Sequence, residues 1–203
     1  MCSELEAAVQ HIFDEAYGFA RQFGGVDNGM TVLYGPPIAA PDVMIVSAQG
    51  GADELFVQTS WPTELAYLNP NTTFRFGNRL RRGFEEGQLA DTLAHRTVAT
   101  NIAFPQAKSF DRWLESRKAP AWLARSICWV DELIRLMQPK VILTYGKHAF
   151  GYLTDSTKSK GDVAETTYRH IPVLGCGHLS QGTSSDEHNR ALTRVRLHIP
   201  QGG

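Results

Sequence analysis

A buried strand that leads into a loop of small residues is encoded at residues 43–54, which read Val43-Met44-Ile45-Val46-Ser47-Ala48-Gln49-Gly50-Gly51-Ala52-Asp53-Glu54. The apolar run predicts a strand, and the residues after it predict a loop that carries functional groups. The same pattern recurs at residues 171–182, Ile171-Pro172-Val173-Leu174-Gly175-Cys176-Gly177-His178-Leu179-Ser180-Gln181-Gly182. Ligands of open α/β sheets bind at the carboxyl ends of strands. The two segments therefore predict one shared cleft.

Helical and extended segments alternate along the rest of the chain. Apolar spacing predicts helices at residues 4–23, 78–89, 120–137, 147–153 and 186–195. Apolar runs predict strands at residues 31–34, 42–47, 97–103, 140–146 and 171–174. This alternation is typical of a parallel sheet covered by helices. We therefore expect an α/β fold, a three-layer α/β/α sandwich with a central, mainly parallel sheet, in one domain over residues 1–203.

Composition limits the classes of protein to consider. Hydrophobic residues make up 42% and charged residues 20%, as in ordinary globular proteins. No apolar run reaches 18 residues and the N-terminus does not resemble a secretory signal, so we expect a cytoplasmic protein with no membrane partner. Cys2, Cys128 and Cys176 are too few for a disulfide framework or a Cys-rich metal site. We expect no metal or other cofactor. Because the net charge is −1, nucleic-acid binding would need a local basic face.

Four motifs in order resemble those of the uracil-DNA glycosylase superfamily, over roughly residues 40 to 190. Residues 47–54 occupy the place of its first motif, a loop of the type Gly-Glu-Ala-Pro-Gly-Ala-Asp-Glu or Gly-Gln-Asp-Pro-Tyr. Thr100-Asn101 resembles its strand that ends in Asn, and residues 139–149 resemble a Pro-Lys-Val-Ile-Leu-x-x-Gly-x-x-Ala segment. His178-Leu179-Ser180 is similar to its His-Pro-Ser loop. The resemblance implies the superfamily's three-layer fold and cleavage of a base from DNA.

The chain also departs from these motifs. Ala48 and Gln49 stand where many members carry an activating Asp, Asn or Glu, and Gly50 replaces the loop proline. Leu179 replaces the proline of the last motif, and Gly182 stands where the best-known members carry an intercalating leucine. Three cysteines cannot supply the four that the iron–sulfur branch needs. The resemblance therefore implies a member other than an ordinary uracil excision enzyme.

Base removal leaves negative charge on the departing base, which a hydrogen-bond donor in a dry pocket stabilises. The resemblance assigns this role to His178; a capping or buried structural histidine is the alternative. It assigns base recognition to Asn101, whose amide both donates and accepts; a helix cap is the alternative. Gln49 cannot titrate but can orient a water molecule. Asp53, followed by Glu54, can activate water or stabilise the sugar cation, or simply cap a helix.

Aromatic and basic residues are expected to contact the nucleic acid. A flipped base stacks on an aromatic ring, and the candidates are Phe56, Trp61, Phe74 and Phe76, each of which can instead belong to the core. We place Ser180, Gln181, Gly182 and Arg190 at the DNA. A wider phosphate-binding face can include Arg79, Arg81, Arg82, Lys158, Lys160, Arg194 and Arg196, although such clusters are usually solvated surface. His148 follows Gly146, which can place it near the same edge of the sheet, although a position on a helix surface is favoured.

These features lead to one functional hypothesis and its rivals. Ser47, Ala48, Gly50 and Gly51 remove bulk from the first loop, which makes room for a larger base. We expect a monofunctional DNA glycosylase, a monomer, that acts on a modified pyrimidine in single-stranded or locally opened DNA. Hydroxymethylated or glucosylated cytosine of phage DNA would suit such a pocket, in anti-phage defence or repair. The alternatives are excision of uracil or another deaminated base, an inactive nucleic-acid-binding protein, and an unrelated α/β domain.

Overall fold

Five strands form one sheet that is parallel except at one edge. The structure is a computed structural model that describes residues 3–51, 56–71, 74–180 and 183–199. The strands are β1 (Val43–Gln49), β2 (Thr97–Ala103), β3 (Val141–Tyr145), β4 (Ala164–Tyr168) and β5 (Ile171–Cys176). Their order across the sheet is β2-β1-β3-β5-β4, and β4 pairs antiparallel with β5. The predicted central, mainly parallel sheet is confirmed.

Helices cover both faces of this sheet. An apolar layer on one face includes buried side chains of α1 (Glu4–Phe23), α5 (Ala119–Met137) and α6 (Lys147–Thr154), and α4 (Phe110–Leu114) packs beside it. A second apolar layer on the other face includes side chains of α2 (Arg75–Glu86), α3 (Ala90–His95) and α7 (Ser185–His198). The chain therefore forms the expected three-layer α/β/α sandwich.

The long helices begin and end where their sequences provide the signals. The Ser3 hydroxyl accepts from the amide of Glu6, whose carboxylate accepts from the amide of Ser3, and this capping box starts α1. Gly24 ends the helix at a φ of 66°. The α5 helix has a proline in its first turn and ends at Gln138 in the left-handed region.

One predicted strand does not form, and one observed strand was not predicted. Residues 31–34 form no strand, because the amides of Val32 and Leu33 donate to the side-chain oxygen of Gln58 rather than to a neighbouring strand. Conversely, β4 was not predicted. It lies at the edge of the sheet and alternates between half-buried and exposed residues. It therefore lacks the apolar run by which the buried strands were identified.

The strand register brings distant polar residues to one edge of the sheet. Ser47 on β1 pairs with Asn101 on β2 and with Tyr145 on β3, and Tyr145 pairs with Cys176 on β5. His178 follows two residues after the end of β5. The carboxyl ends of all four parallel strands therefore meet where the two sequence segments predicted a cleft.

Candidate functional site

A cleft of about 1450 Å³ lies at this edge of the sheet. Its lining includes the following residues that the sequence singled out: Ala48, Gln49, Gly50, Phe56, Phe74, Phe76, Asn101, His178 and Ser180. Arg190 does not line the cleft; it lies on α7 and donates to the carbonyl oxygen of Gly161. Trp61 packs edge-on against Phe13 in the core. Asp53, Glu54, Gln181 and Gly182 lie outside the described residues.

His178 presents one ring nitrogen to the cleft and uses the other internally. Its Nδ1 lies 2.7 Å from the Ser180 hydroxyl, and its ring packs at 5.4 Å from that of Phe76. In the described part of the chain, Nε2 has no hydrogen-bond partner. Burial lowers the pKa of His178, which favours the neutral ring near pH 7. When Ser180 donates to Nδ1, the ring proton is on Nε2, which becomes a donor to a bound group.

The loop that carries His178 is held in place at several points. Arg79 on α2 donates to the carbonyl oxygens of Leu179 and Thr183. The Thr183 hydroxyl donates to the His178 carbonyl at 2.9 Å, and the Gly177 amide donates to Glu187 Oε1 at 2.7 Å. His178 is therefore fixed by contacts that span both ends of its loop.

Glu187 also forms a buried ion pair with Lys158. The Lys158 ammonium lies 2.8 Å from Glu187 Oε1, and the two side chains are 3% and 4% exposed. Lys158 comes from the segment between α6 and β4, so the pair ties this segment to the loop of His178. Lys158 and Arg79 were expected on a phosphate-binding face, but both instead make internal contacts that hold the loop of His178.

Asn101 is oriented by a tyrosine that the sequence analysis missed. Its Nδ2 donates to the Tyr34 hydroxyl at 2.7 Å, while its Oδ1 has no hydrogen-bond partner among the described residues. Tyr34 stacks on Tyr67 with ring centroids 5.1 Å apart, and burial raises the pKa of the phenol to about 12. Tyr34 is thus a neutral group in the cleft. The sequence predicted a strand at residues 31–34 but no functional group there, so only the fold reveals the place of Tyr34.

Two further polar atoms lack partners in the described chain. Gln49 Nε2 donates to the Pro105 carbonyl at 2.7 Å, which leaves Gln49 Oε1 buried with no partner. The hydroxyl oxygen of Ser47 is likewise buried and unpartnered. A buried polar atom without a partner costs about 1–3 kcal/mol. Because both residues line the cleft, these atoms favour a site that binds a polar ligand or water.

Gly50 is small for a reason that the sequence did not indicate. A Cβ atom at this position would lie 2.6 Å from the Tyr34 hydroxyl and 3.3 Å from Gln106 Cγ. The space beside Gly50 is therefore occupied by Tyr34, and Gly50 itself does not enlarge the pocket as expected. Ser47, Ala48 and Gly51 also line the cleft.

We expect Gly50→Ala to lower the free energy of unfolding by about 1–3 kcal/mol, because the new methyl group overlaps the phenol. Tyr34→Phe removes the overlapping oxygen, so the loss in the double variant should be smaller than the sum of the single losses. Urea unfolding of the four proteins measures this coupling. Additive losses would show that Gly50 and Tyr34 do not compete for this space.

Lysine and arginine side chains predominate around the cleft. Those that line it are Arg75, Lys108, Lys147, Lys158 and Lys160, whereas the described carboxylates of the lining belong to Asp111 and Glu187. The other members of the expected phosphate-binding face, Arg79, Arg81, Arg82, Arg194 and Arg196, do not line the cleft. The basic surface therefore comes largely from residues that the sequence analysis did not select.

Beneath the cleft, in the interior of the protein, the Tyr145 hydroxyl lies 2.8 Å from Nε2 of His188. Burial and then the nearby Arg79 charge lower the pKa of His188 from 6.5 to about 4. The unfolded chain therefore binds a proton at a higher pH than the folded chain does. The stability conferred by neutral His188 is complete above about pH 6.5 and is lost as the pH falls toward 4.

We expect the protonation of His188 to lower the free energy of unfolding by roughly 2–3 kcal/mol between pH 7 and pH 4. In His188→Asn the side chain no longer titrates, so this part of the pH dependence should disappear even if the variant is less stable at pH 7. Urea unfolding between pH 4 and pH 7 measures how the free energy of unfolding of the wild type and of His188→Asn depends on pH. Equal slopes would show that His188 titrates alike in the folded and unfolded chains.

No helix among the described residues is both long and apolar enough to cross a membrane. The same part of the chain contains no cluster of three or more His, Cys, Asp or Glu side chains arranged to hold a metal ion.

Compared with protein-family models and with curated proteins, the chain gives no match. The resemblance of its motifs to those of uracil-DNA glycosylases therefore has no independent support from these comparisons.

Proposed function

We propose that this protein is a monofunctional DNA glycosylase that releases a modified pyrimidine and leaves an abasic site. The observation that carries the proposal is the convergence of Gln49, Asn101 and His178 on one cleft at the carboxyl ends of the strands. These residues come from three distant parts of the chain and correspond to three motifs of the resemblance. Because the carboxyl ends of parallel strands meet in any such sheet, the support comes from the residue types, an amide, a second amide and an imidazole, that stand at these positions.

The chemistry follows from the groups that each residue presents. Asn101 offers an amide oxygen and a second amide proton to the edge of a flipped base. The bond from C1′ of the sugar to the base nitrogen breaks, and its electron pair leaves with the base. The Nε2 proton of His178 stabilises the resulting charge on a base oxygen. Water adds to C1′ and loses a proton, which finally passes to solvent or to the departed base anion, and Gln49 Oε1 accepts a hydrogen bond from that water.

A nucleic acid is the substrate that best suits the surroundings of the cleft. Lys108, Lys147 and Lys160 supply positive charge for phosphates, and Phe56 and Phe74 are 54% and 44% exposed on its lining. Exposed rings beside basic groups are typical of surfaces that bind single-stranded nucleic acid. We therefore expect single-stranded or locally opened DNA, for which the cost of flipping is smallest.

The small residues of the first loop favour a base larger than uracil. Ala48 and Gly51 place little side-chain bulk on the lining of the cleft. Hydroxymethylcytosine and its glucosylated form are bulky pyrimidines of this kind. Release of such bases would be useful in defence against phages with modified DNA.

Excision of uracil is the second candidate, and Tyr34 favours it. The phenol fills the space beside Gly50 and contacts Asn101, so it narrows the cleft next to the proposed base-reading amide. A cleft that is narrow next to Asn101 fits uracil better than a pyrimidine with a bulky substituent.

One panel of oligonucleotides distinguishes these possibilities. Single-stranded DNAs that contain uracil, cytosine, hydroxymethylcytosine or glucosylated hydroxymethylcytosine are incubated with the protein and then cleaved with alkali at abasic sites. We expect cleavage at a modified cytosine. Cleavage at uracil alone would support the second candidate. DNA binding without cleavage of any substrate would overturn the glycosylase proposal and indicate an inactive nucleic-acid-binding protein.

A further inference from the structure

A second histidine, His148, lines the same cleft as His178. His148 is the second residue of α6, and a Cβ atom built on Gly146 would lie 3.6 Å from that of His178. The His148 side chain is 28% exposed and packs at 5.0 Å from the ring of Phe110. It therefore lies near the same edge of the sheet, the less favoured of the two positions that its sequence allowed.

The two ring nitrogens of His148 have different surroundings. Nε2 is shielded from solvent and lies 2.9 Å from Oδ1 of Asp111, although it is not aligned for a regular hydrogen bond. Nδ1 has no hydrogen-bond partner among the described residues and is not buried. A proton on Nε2 is stabilised by the adjacent carboxylate, which leaves the Nδ1 lone pair available to the cleft. The carboxylate is thus close enough to stabilise the ring when it takes up a proton, although the two groups form no aligned hydrogen bond.

We propose that His148, positioned by Asp111, is the general base that activates water in this cleft. The proposal rests on the glycosylase function proposed above. After the bond from C1′ to the base nitrogen breaks, the oxygen of water bonds to C1′ while one of its protons moves to His148 Nδ1. The resulting imidazolium is stabilised by the Asp111 carboxylate and later returns the proton to solvent or to the departed base.

The other described groups of the cleft are less suited to this step. The carboxylate of Glu187 already binds Lys158 and the Gly177 amide. Gln49 has an amide that orients water but cannot take its proton. His178 faces the proposed leaving base. Imidazole is also the commonest general base in enzymes, and such a base typically contributes about 100-fold or more to the rate.

Water activation matters here because the broken bond can re-form. The departing base remains against the sugar cation until water captures that cation, so slow capture returns the substrate. Removal of the general base, His148, should therefore lower the rate at which the nucleobase is released without weakening the binding of DNA.

The test compares single-turnover release of the base by His148→Gln and by the wild type, on whichever oligonucleotide the wild type cleaves. We expect a loss of about 100-fold in His148→Gln, with the Kd for DNA unchanged within about twofold. His148→Ala should recover part of its rate when free imidazole is added. The matched control is His11→Gln, because His11 is also a helical histidine beside a carboxylate, Glu15, and does not line the cleft.

The role of Asp111 is tested by combining variants. Asp111→Asn should reduce the rate about tenfold in the wild-type background and have little further effect in His148→Gln, because a positioning residue acts only through its partner. Asp111→Glu should recover part of the rate. Equal losses in both backgrounds would show that Asp111 acts independently of His148.

The outcomes separate this proposal from the one on which it rests. If the wild type releases a base and His148→Gln does so at the same rate, the general base is a different residue. Loss of activity in Asp53→Asn would then identify that carboxylate. A slow His148→Ala that imidazole does not restore would indicate a structural role and also overturn the proposal. If the wild type releases no base from any DNA, the glycosylase function fails and the role of His148 fails with it.

Discussion

Replacing His178 by alanine should slow single-turnover release of the base by about 100-fold or more. The loss is expected because Nε2, the ring nitrogen without an internal partner, would no longer donate to the leaving base. The neutral ring that burial favours is a donor that does not need to be charged. The affinity for DNA should change little, since the role belongs to the transition state.

Two variants serve as controls for this prediction. His95→Ala removes an exposed histidine at the end of α3 that does not line the cleft, and its rate should equal that of the wild type. Ser180→Ala keeps the imidazole but removes the hydroxyl beside Nδ1, so it should be slower than the wild type and faster than His178→Ala. An unchanged rate in His178→Ala would exclude this residue from the mechanism.

Replacing Glu187 by alanine should lower the free energy of unfolding by about 3–5 kcal/mol. The variant leaves the Lys158 ammonium buried without its carboxylate and leaves the Gly177 amide without its acceptor. Urea unfolding at pH 7 measures the change. The same variant should also slow base release, because it loosens the loop that carries His178.

The control for Glu187 is a double variant that removes both charges. Lys158→Met combined with Glu187→Met should recover much of the stability, since two apolar side chains replace the pair. Glu86→Ala breaks the exposed pair of Arg82 and Glu86, in which the side chains are 80% and 43% exposed, and should change the stability far less than Glu187→Ala does. If Glu187→Ala is no more harmful than Glu86→Ala, the buried pair does not stabilise this loop.

The sequence predicted the buried elements of the fold well, because each has a local signal. Strands β1, β2, β3 and β5 are apolar runs, and α1 and α5 have a clear helical period with identifiable ends. The edge strand β4 has no such signal. Its position depends on pairing with β5 and on a turn at Arg169 and His170, both with positive φ, which their residue types do not indicate.

The site was most predictable near the carboxyl ends of the strong strands. Gln49 ends β1, Asn101 lies in the last half of β2 and His178 follows β5 by two residues, and the parallel register brings them together. Tyr34 lies in an irregular segment, and His148 lies in a short helix after β3, where a position on the helix surface was favoured. Arg79 and Lys158 have ordinary surface composition around them, and only the folded chain shows which carbonyl or carboxylate each one contacts.

The segment that carries Tyr34 also covers the outer edge of β2. The amides of Thr31 and Tyr34 donate to the carbonyl oxygens of Phe104 and Ala99, and the Thr100 hydroxyl donates to the Val32 carbonyl. An uncovered edge strand is a template for pairing with another chain. The backbone at Tyr34 therefore cannot be rebuilt by insertion or deletion without exposing the sheet to self-association. Replacing the Tyr34 side chain alone would leave these backbone contacts, and therefore the cover of β2, in place.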